Sequence, residues 1–100
     1  MSQQYYMLKL LPSRPDFAMT MTDEERKIML EHIVYWKPYL ESGLMLVMGP
    51  VMDPKGPYGL GIVKPDSEEQ LRELISRDPA AAINQYEYYP IMALVSEKLG

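Results

Sequence analysis

The stretch Thr22 to Gly43, TDEERKIMLEHIVYWKPYLESG, is the longest helical signal in the chain, and both of its ends are marked. Thr22 is a good N-cap, and Glu25 three residues on completes a capping box in which each side chain satisfies a free backbone N–H. Asp23, Glu24 and Glu25 put negative charge at the positive end of the helix dipole. Gly43 stands where a left-handed C-cap residue is expected, so the helix should end near Ser42. Met29, Ile33, Trp36 and Leu40 recur at spacings of four, three and four and form one apolar stripe. At ~100° per residue, His32 lies about 60° off that stripe, beside Ile28, Tyr35 and Tyr39, at the margin of a core. Pro38 removes one N–H and is expected to kink the last turn.

A helix of this kind needs an apolar surface to cover, and the flanking segments supply strands. Tyr5 to Leu11 is apolar on both faces, interrupted only by Lys9. Pro12 to Asp16 breaks it, and a loop rich in methionine then leads to the helix through Phe17, Met19 and Met21. So much apolar weight in a connection predicts that it folds back over something. After Gly43, Leu44 to Met48 is a continuous apolar run ended by Gly49-Pro50. Asp53-Pro54-Lys55-Gly56-Pro57 is turn chemistry throughout. Tyr58 to Val63 closes a hairpin, with Gly59 and Gly61 on one face and Tyr58, Leu60 and Ile62 on the other. Positions without side chains leave room for a ligand or for a closely packed neighbour.

Ser67 with Gln70 opens a second helix through another capping box, and Leu71, Leu74 and Ile75 give it a buried stripe. Asp78 before Pro79 is an N-cap and N1 pair that starts a short helical turn toward Ile83. The last strand is read as Tyr86 to Val95, with Pro90 marking an edge or bulge. The order strand, helix, strand, strand, helix, strand is the ferredoxin-like βαββαβ arrangement: an α+β fold with a four-stranded antiparallel sheet and both helices on one face. The whole of 1–100 reads as one domain. The second sheet face, also apolar, would be left open to water, and pairing of two identical sheets in a symmetric homodimer is the simplest closure.

Composition removes several classes of function. A net charge of −4 without a basic stripe argues against nucleic acid as a partner. With no cysteine there is no disulfide, thiol nucleophile or thiolate metal site. One histidine without a neighbouring carboxylate cluster makes a poor metal-ligand set, so no metal and no other cofactor is expected. No Ser or Cys sits in a recognisable nucleophile elbow. No apolar run approaches the ~20 residues of a membrane span, and the beginning of the chain lacks the apolar middle of a signal peptide, so a soluble cytoplasmic protein is the default.

Three features stand in register with the six elements: His32 in the first helix, Gly49-Pro50 through Asp53 and Gly56 after the second strand, and Asp78-Pro79 after the second helix. In that order and spacing the chain resembles the YciI-like (YCII-related) family, small proteins with the dimeric α+β barrel form of the ferredoxin-like fold. The resemblance spans nearly the whole chain. It implies that His32 and Asp78 form a His–Asp pair in a pocket, and it suggests lyase-type chemistry, halide removal from aromatic-derived substrates being proposed for part of the family. Where the aspartate-proline is often followed by an aromatic residue in the family, this chain has Ala80.

A carboxylate beside an imidazole fixes its tautomer and suits it to proton transfer near neutral pH. Each residue also has a plain structural role open to it. His32 can be a satisfied histidine at a helix margin, Asp78 a helix cap, and Lys9 can snorkel to the sheet edge instead of binding an anionic substrate group. Tyr35, Tyr39, Met48 and Tyr58 are candidates to line a pocket for an apolar or aromatic ligand, or else are core. The readings that stand are an acid/base enzyme acting on a small organic substrate, a non-catalytic dimeric binding module, and a cofactor-free monooxygenase of the same barrel fold.

Overall fold

The computed structural model describes residues 3–98; residues 1, 2, 99 and 100 of the expected domain lie outside the described residues. Its elements follow the predicted order, the expected short turn after Asp78 included, with one short helical addition before the long helix. They are β1 (Tyr5–Leu11), α1 (Phe17–Thr20), α2 (Asp23–Ser42), β2 (Met45–Val51), β3 (Tyr58–Val63), α3 (Glu68–Arg77), a 3-10 turn (Pro79–Ala82) and β4 (Gln85–Ile91). The four strands form one antiparallel sheet in the order β2-β3-β1-β4, the ferredoxin-like arrangement.

Local chemistry sets the helix ends. Thr22 accepts from the Glu25 N–H at 3.1 Å while the Glu25 carboxylate accepts from the Thr22 N–H at 2.9 Å, which completes the capping box. Gly43 closes α2 at φ 87° and its N–H donates to the Leu40 carbonyl. The helix runs through Pro38 to Ser42; the N–H that Pro38 lacks would have served the carbonyl of Val34, on the solvent side of the helix. At α3, Ser67 caps the Gln70 N–H, but the Gln70 side chain reaches back to the Asp66 N–H instead of that of Ser67, so the second capping box is only half formed.

Register explains which side of the sheet the helices cover. Tyr6, Leu8 and Leu10 share one face of β1, opposite Val63, Gly61 and Gly59 of β3 and Pro90, Tyr88 and Tyr86 of β4. Tyr6, Leu8, Met45 and Val63 cluster with Trp36 of α2 and Leu71 and Leu74 of α3, so both helices pack on this face. The other face carries Tyr5, Met7, Lys9 and Leu11, none of them fully buried, and Val47 and Tyr89 are exposed.

Two strand boundaries differ from expectation for a physical reason each. β2 continues through Gly49-Pro50 to Val51, because an edge strand tolerates a proline whose missing N–H would point away from the sheet. β4 stops at Ile91 instead of Val95, since Ile91 already pairs with Tyr5, the first residue of β1, and the ladder has no further partner. The loop before α2 holds a helical turn, α1, and buries Phe17. Arg14 fastens this loop to the first turn of α2 through two hydrogen bonds to Glu25 (2.9 and 3.1 Å) and one to the Thr20 carbonyl. Hydrogen bonding from Arg14, then from the Thr22 N–H, holds the Glu25 carboxyl down to about 2.

The two glycines of β3 respond differently to added bulk. A Cβ on Gly61 would lie 3.0 Å from Cε of Met45, the free end of a flexible side chain, whereas one on Gly59 would lie 3.1 Å from Cβ of Leu10, which the strand holds in place. Gly61→Ala is therefore expected to cost under about 1 kcal/mol and Gly59→Ala about 1–3 kcal/mol in urea unfolding, with the order of the two as the decisive result.

Candidate active site

Between α2 and the helix-facing side of the sheet lies a cavity of about 540 Å³. All four residues of the predicted stripe, Met29, Ile33, Trp36 and Leu40, line it. Only Trp36 is fully buried, and Ile33 is 55% exposed. Trp36 packs onto the strands, while Met29, Ile33 and Leu40 wall a hollow beside it. Opposite them, the floor comprises Leu8 and Leu10 of β1, Met45 and Met48 of β2, and Gly59 and Gly61 of β3. The glycines keep this floor low: their nearest prospective contacts are Leu10 and Met45 within the sheet, not a helix. Phe17, Ala18 and Met21 close one side, which is what the apolar loop folds back over.

His32 and Asp78 meet at the edge of this cavity. Nδ1 of His32 lies 2.6 Å from Oδ2 of Asp78, with the His32 side chain 12% exposed and that of Asp78 fully buried. The same oxygen accepts from the indole N–H of Trp36 at 2.8 Å and from the phenol O–H of Tyr86 at 2.5 Å. Oδ1 accepts from the Ala80 N–H at 2.9 Å, capping the 3-10 turn. One carboxyl group therefore serves as cap and as partner of the histidine. Burial is the largest influence on it and pushes its pKa up, but the bonds from His32, Tyr86, the Ala80 N–H and Trp36 together outweigh burial, and the net shift is downward. Burial, reinforced by the bond to Asp78 and its charge, drives the Tyr86 phenol strongly upward, so Tyr86 remains a donor.

An ionised carboxylate only accepts, so the proton between the two groups sits on Nδ1 of His32. Nε2 of His32 has no hydrogen-bond partner among the described residues. Because no buried side-chain polar atom there lacks one, Nε2 is accessible, and His32 lines the cavity. With that proton on Nδ1, Nε2 is the nitrogen left to face whatever enters.

A model of the YCII-related domain matches residues 6–95. The chain belongs to the YCII-related family. None of the curated proteins matches it significantly.

Within this YCII-related domain the other expected pocket residues divide. Met48 lines the cavity, and Tyr58 borders it, although strand alternation puts its ring on the face opposite Gly59 and Gly61. Lys9 does neither: strand alternation puts it on the face away from Leu8 and Leu10, with its ammonium 4.8 Å from the centroid of the Tyr58 ring. Tyr35 and Tyr39 lie on the far margin of α2, stacked edgewise or tilted around Trp36 and packed on the core. The hydroxyl of Tyr35 donates to the Leu74 carbonyl of α3, and burial, then the nearby Tyr39 and Asp78, push its pKa up to about 12. Three lining residues escaped the sequence reading: Trp36 as a donor, Tyr86 and Asn84. Trp36 follows His32 by four residues, a spacing that puts both on one helix face. Tyr86 and Asn84 carry no comparable local signal. Among the described residues no three His, Asp or Glu side chains come together as a metal-ligand set.

The depressed folded-state pKa of Asp78 fixes a sign. Its contribution to stability is fully present above the unfolded-state value near 3.8 and is lost as pH falls through the lower folded-state value. Acid unfolding followed by tryptophan fluorescence should have a limb below about pH 4 that is shallower in Asp78→Asn. At neutral pH that variant should lose about 2–4 kcal/mol, because an amide brings an N–H₂ group among donors and leaves several without an acceptor.

Proposed function

We propose that this YCII-related domain is a small enzyme in which Nε2 of His32 moves a proton on a small organic substrate, aromatic ones included, held in the cavity between α2 and the sheet. The reading rests above all on one observation, the contact between Nδ1 of His32 and Oδ2 of Asp78 beside an accessible Nε2. Asp78 orients the ring and balances the imidazolium formed when Nε2 accepts the proton. Trp36 and Tyr86 keep the carboxylate ionised and aimed. Return of the proton to a second atom gives isomerisation; departure of a leaving group, halide among the candidates, gives lyase-type elimination.

We further propose that the chain acts as a cytoplasmic homodimer whose apolar sheet faces, bearing Tyr5, Met7 and Leu11, cover one another. A second functional reading, a non-catalytic dimeric binding module, draws support from Asp78 itself, whose capping bond to the Ala80 N–H gives it a structural role without any chemistry.

A screen of small aromatic and lactone substrates should separate the two. With both proteins confirmed folded by circular dichroism, His32→Ala is expected to lower kcat/KM about 100-fold or more relative to wild type. Equal turnover by the two proteins defeats the catalytic reading. Light scattering at micromolar concentration should give twice the chain mass, and a monomer there defeats the dimer.

A further inference from the structure

Among the described residues the lining of the cavity holds no lysine, arginine, aspartate or glutamate, and His32 is its only ionisable side chain apart from the tyrosines Tyr58 and Tyr86. The charge of Asp78 is already consumed by four donors. A protonated His32 beside it forms a pair with no net charge, so an anion entering the cavity meets no uncompensated cation in either protonation state of the ring. The two nearby cations that the loops and strands supply are elsewhere. Lys9 stands on the opposite sheet face, and Arg14 is committed to Glu25 and Thr20. Removing a carboxylate or phosphate from water into such a lining costs several kcal/mol without repayment.

Apart from the hydroxyl of Tyr58, whose ring carries Lys9 on the other sheet face, two side-chain polar groups remain for a ligand. One is Nε2 of His32. The other is the side-chain carbonyl of Asn84, whose N–H₂ group is turned toward the Ala80 carbonyl (3.1 Å) and the Met29 sulfur (3.5 Å). A carbonyl can only accept, so the amide orientation is fixed and Oδ1 is the free end. Both available groups are acceptors while the ring is neutral.

Resting on the reading of this cavity as the place where His32 acts, we infer that its substrate is an uncharged, largely apolar molecule, with one or two hydroxyl, enol or N–H donors, and carries no carboxylate or phosphate into the site. The volume, about 540 Å³, is that of a pocket for a ligand of drug-like size, within the usual range of roughly 300–1,000 Å³. Selectivity then comes from exclusion: anions are turned away by the lack of a counter-charge, and hydroxyl-bearing neutral molecules are retained by Asn84 and His32.

Matched probes test this without any turnover. Methyl 6-hydroxy-2-naphthoate and 6-hydroxy-2-naphthoate have the same ring and hydroxyl and differ in charge, and their binding to the wild-type chain can be read by calorimetry at neutral pH. The ester is expected to bind about tenfold or more tightly than the carboxylate. In Ile33→Arg, which places a cation on the exposed side of the lining, that preference should shrink or reverse. Equal or tighter binding of the carboxylate by wild type, or no binding of the ester up to its solubility limit, overturns the inference. Ester binding by a protein that turns over nothing leaves it standing and defeats only the catalytic reading.

Discussion

A single buried carboxylate holds this fold's functional end together. Asp78 has no exposed side-chain surface and is charged, a combination that is costly unless every lone pair is used. Its four donors come from three places: His32 and Trp36 on α2, the Ala80 N–H of the 3-10 turn, and Tyr86 on β4. No one of these elements can shift without leaving a polar group unsatisfied in the interior. The anion thus sets the position of α2 relative to the sheet, and with it the position of the imidazole. A helix docked by apolar contacts alone would have tolerated sliding; one docked through two donors to a single oxygen has a defined register.

That fixed docking makes the hollow possible. Apolar helix faces ordinarily close onto a sheet, because empty volume forfeits dispersion contacts. Here α2 is secured at one margin by Asp78 and by packing of Trp36, Tyr35 and Tyr39 on the core, while Met29, Ile33 and Leu40 of its apolar stripe line the hollow. Gly59 and Gly61 deepen the space from below. Phe17, Ala18 and Met21 wall it from the side, on a loop that Arg14 ties to the capped end of the same helix. Glu25 is central to this arrangement, since one carboxylate closes the capping box and receives the guanidinium. Stability is concentrated in the rim so that the centre can stay empty.

What was legible in the sequence was mainly what local chemistry decides. Thr22, Glu25 and Gly43 mark α2, and the alternation of apolar residues with turn signals yields the βαββαβ order. The meeting of His32 and Asp78 was accessible only through family resemblance, since no periodicity connects residues so far apart in sequence. Trp36 was read as apolar bulk because its ring dominates its pattern, and its one polar atom found a use only after the chain had folded. Tyr86 and Asn84 depend on how β4 returns beside the 3-10 turn, a tertiary matter. Lys9 was open to a better reading: in a strand that alternates, the face holding Leu8 and Leu10 cannot also hold Lys9. The end of β4 depended on the length of β1, its sole partner.

The two nitrogens of His32 sit in unlike surroundings, and the chemistry follows from that difference. Nδ1 is tied to an anion that three other donors already stabilise; Nε2 looks onto an apolar space without competing charges. In the reaction we propose, Nε2 takes a proton, the positive charge so created lies next to the Asp78 carboxylate, and the substrate left negative is hydrogen-bonded to the new Nε2–H. Among the described residues the lining offers no other ion, so the charge separated is held within one contiguous set, carboxylate, ring and substrate. Had a lysine or arginine lined the same cavity, it would compete for the developing anion and disfavour protonation of the ring. On the proposed reading the uncharged wall belongs to the acid–base arrangement, since among the described lining residues it leaves the histidine to answer a charge that appears during reaction.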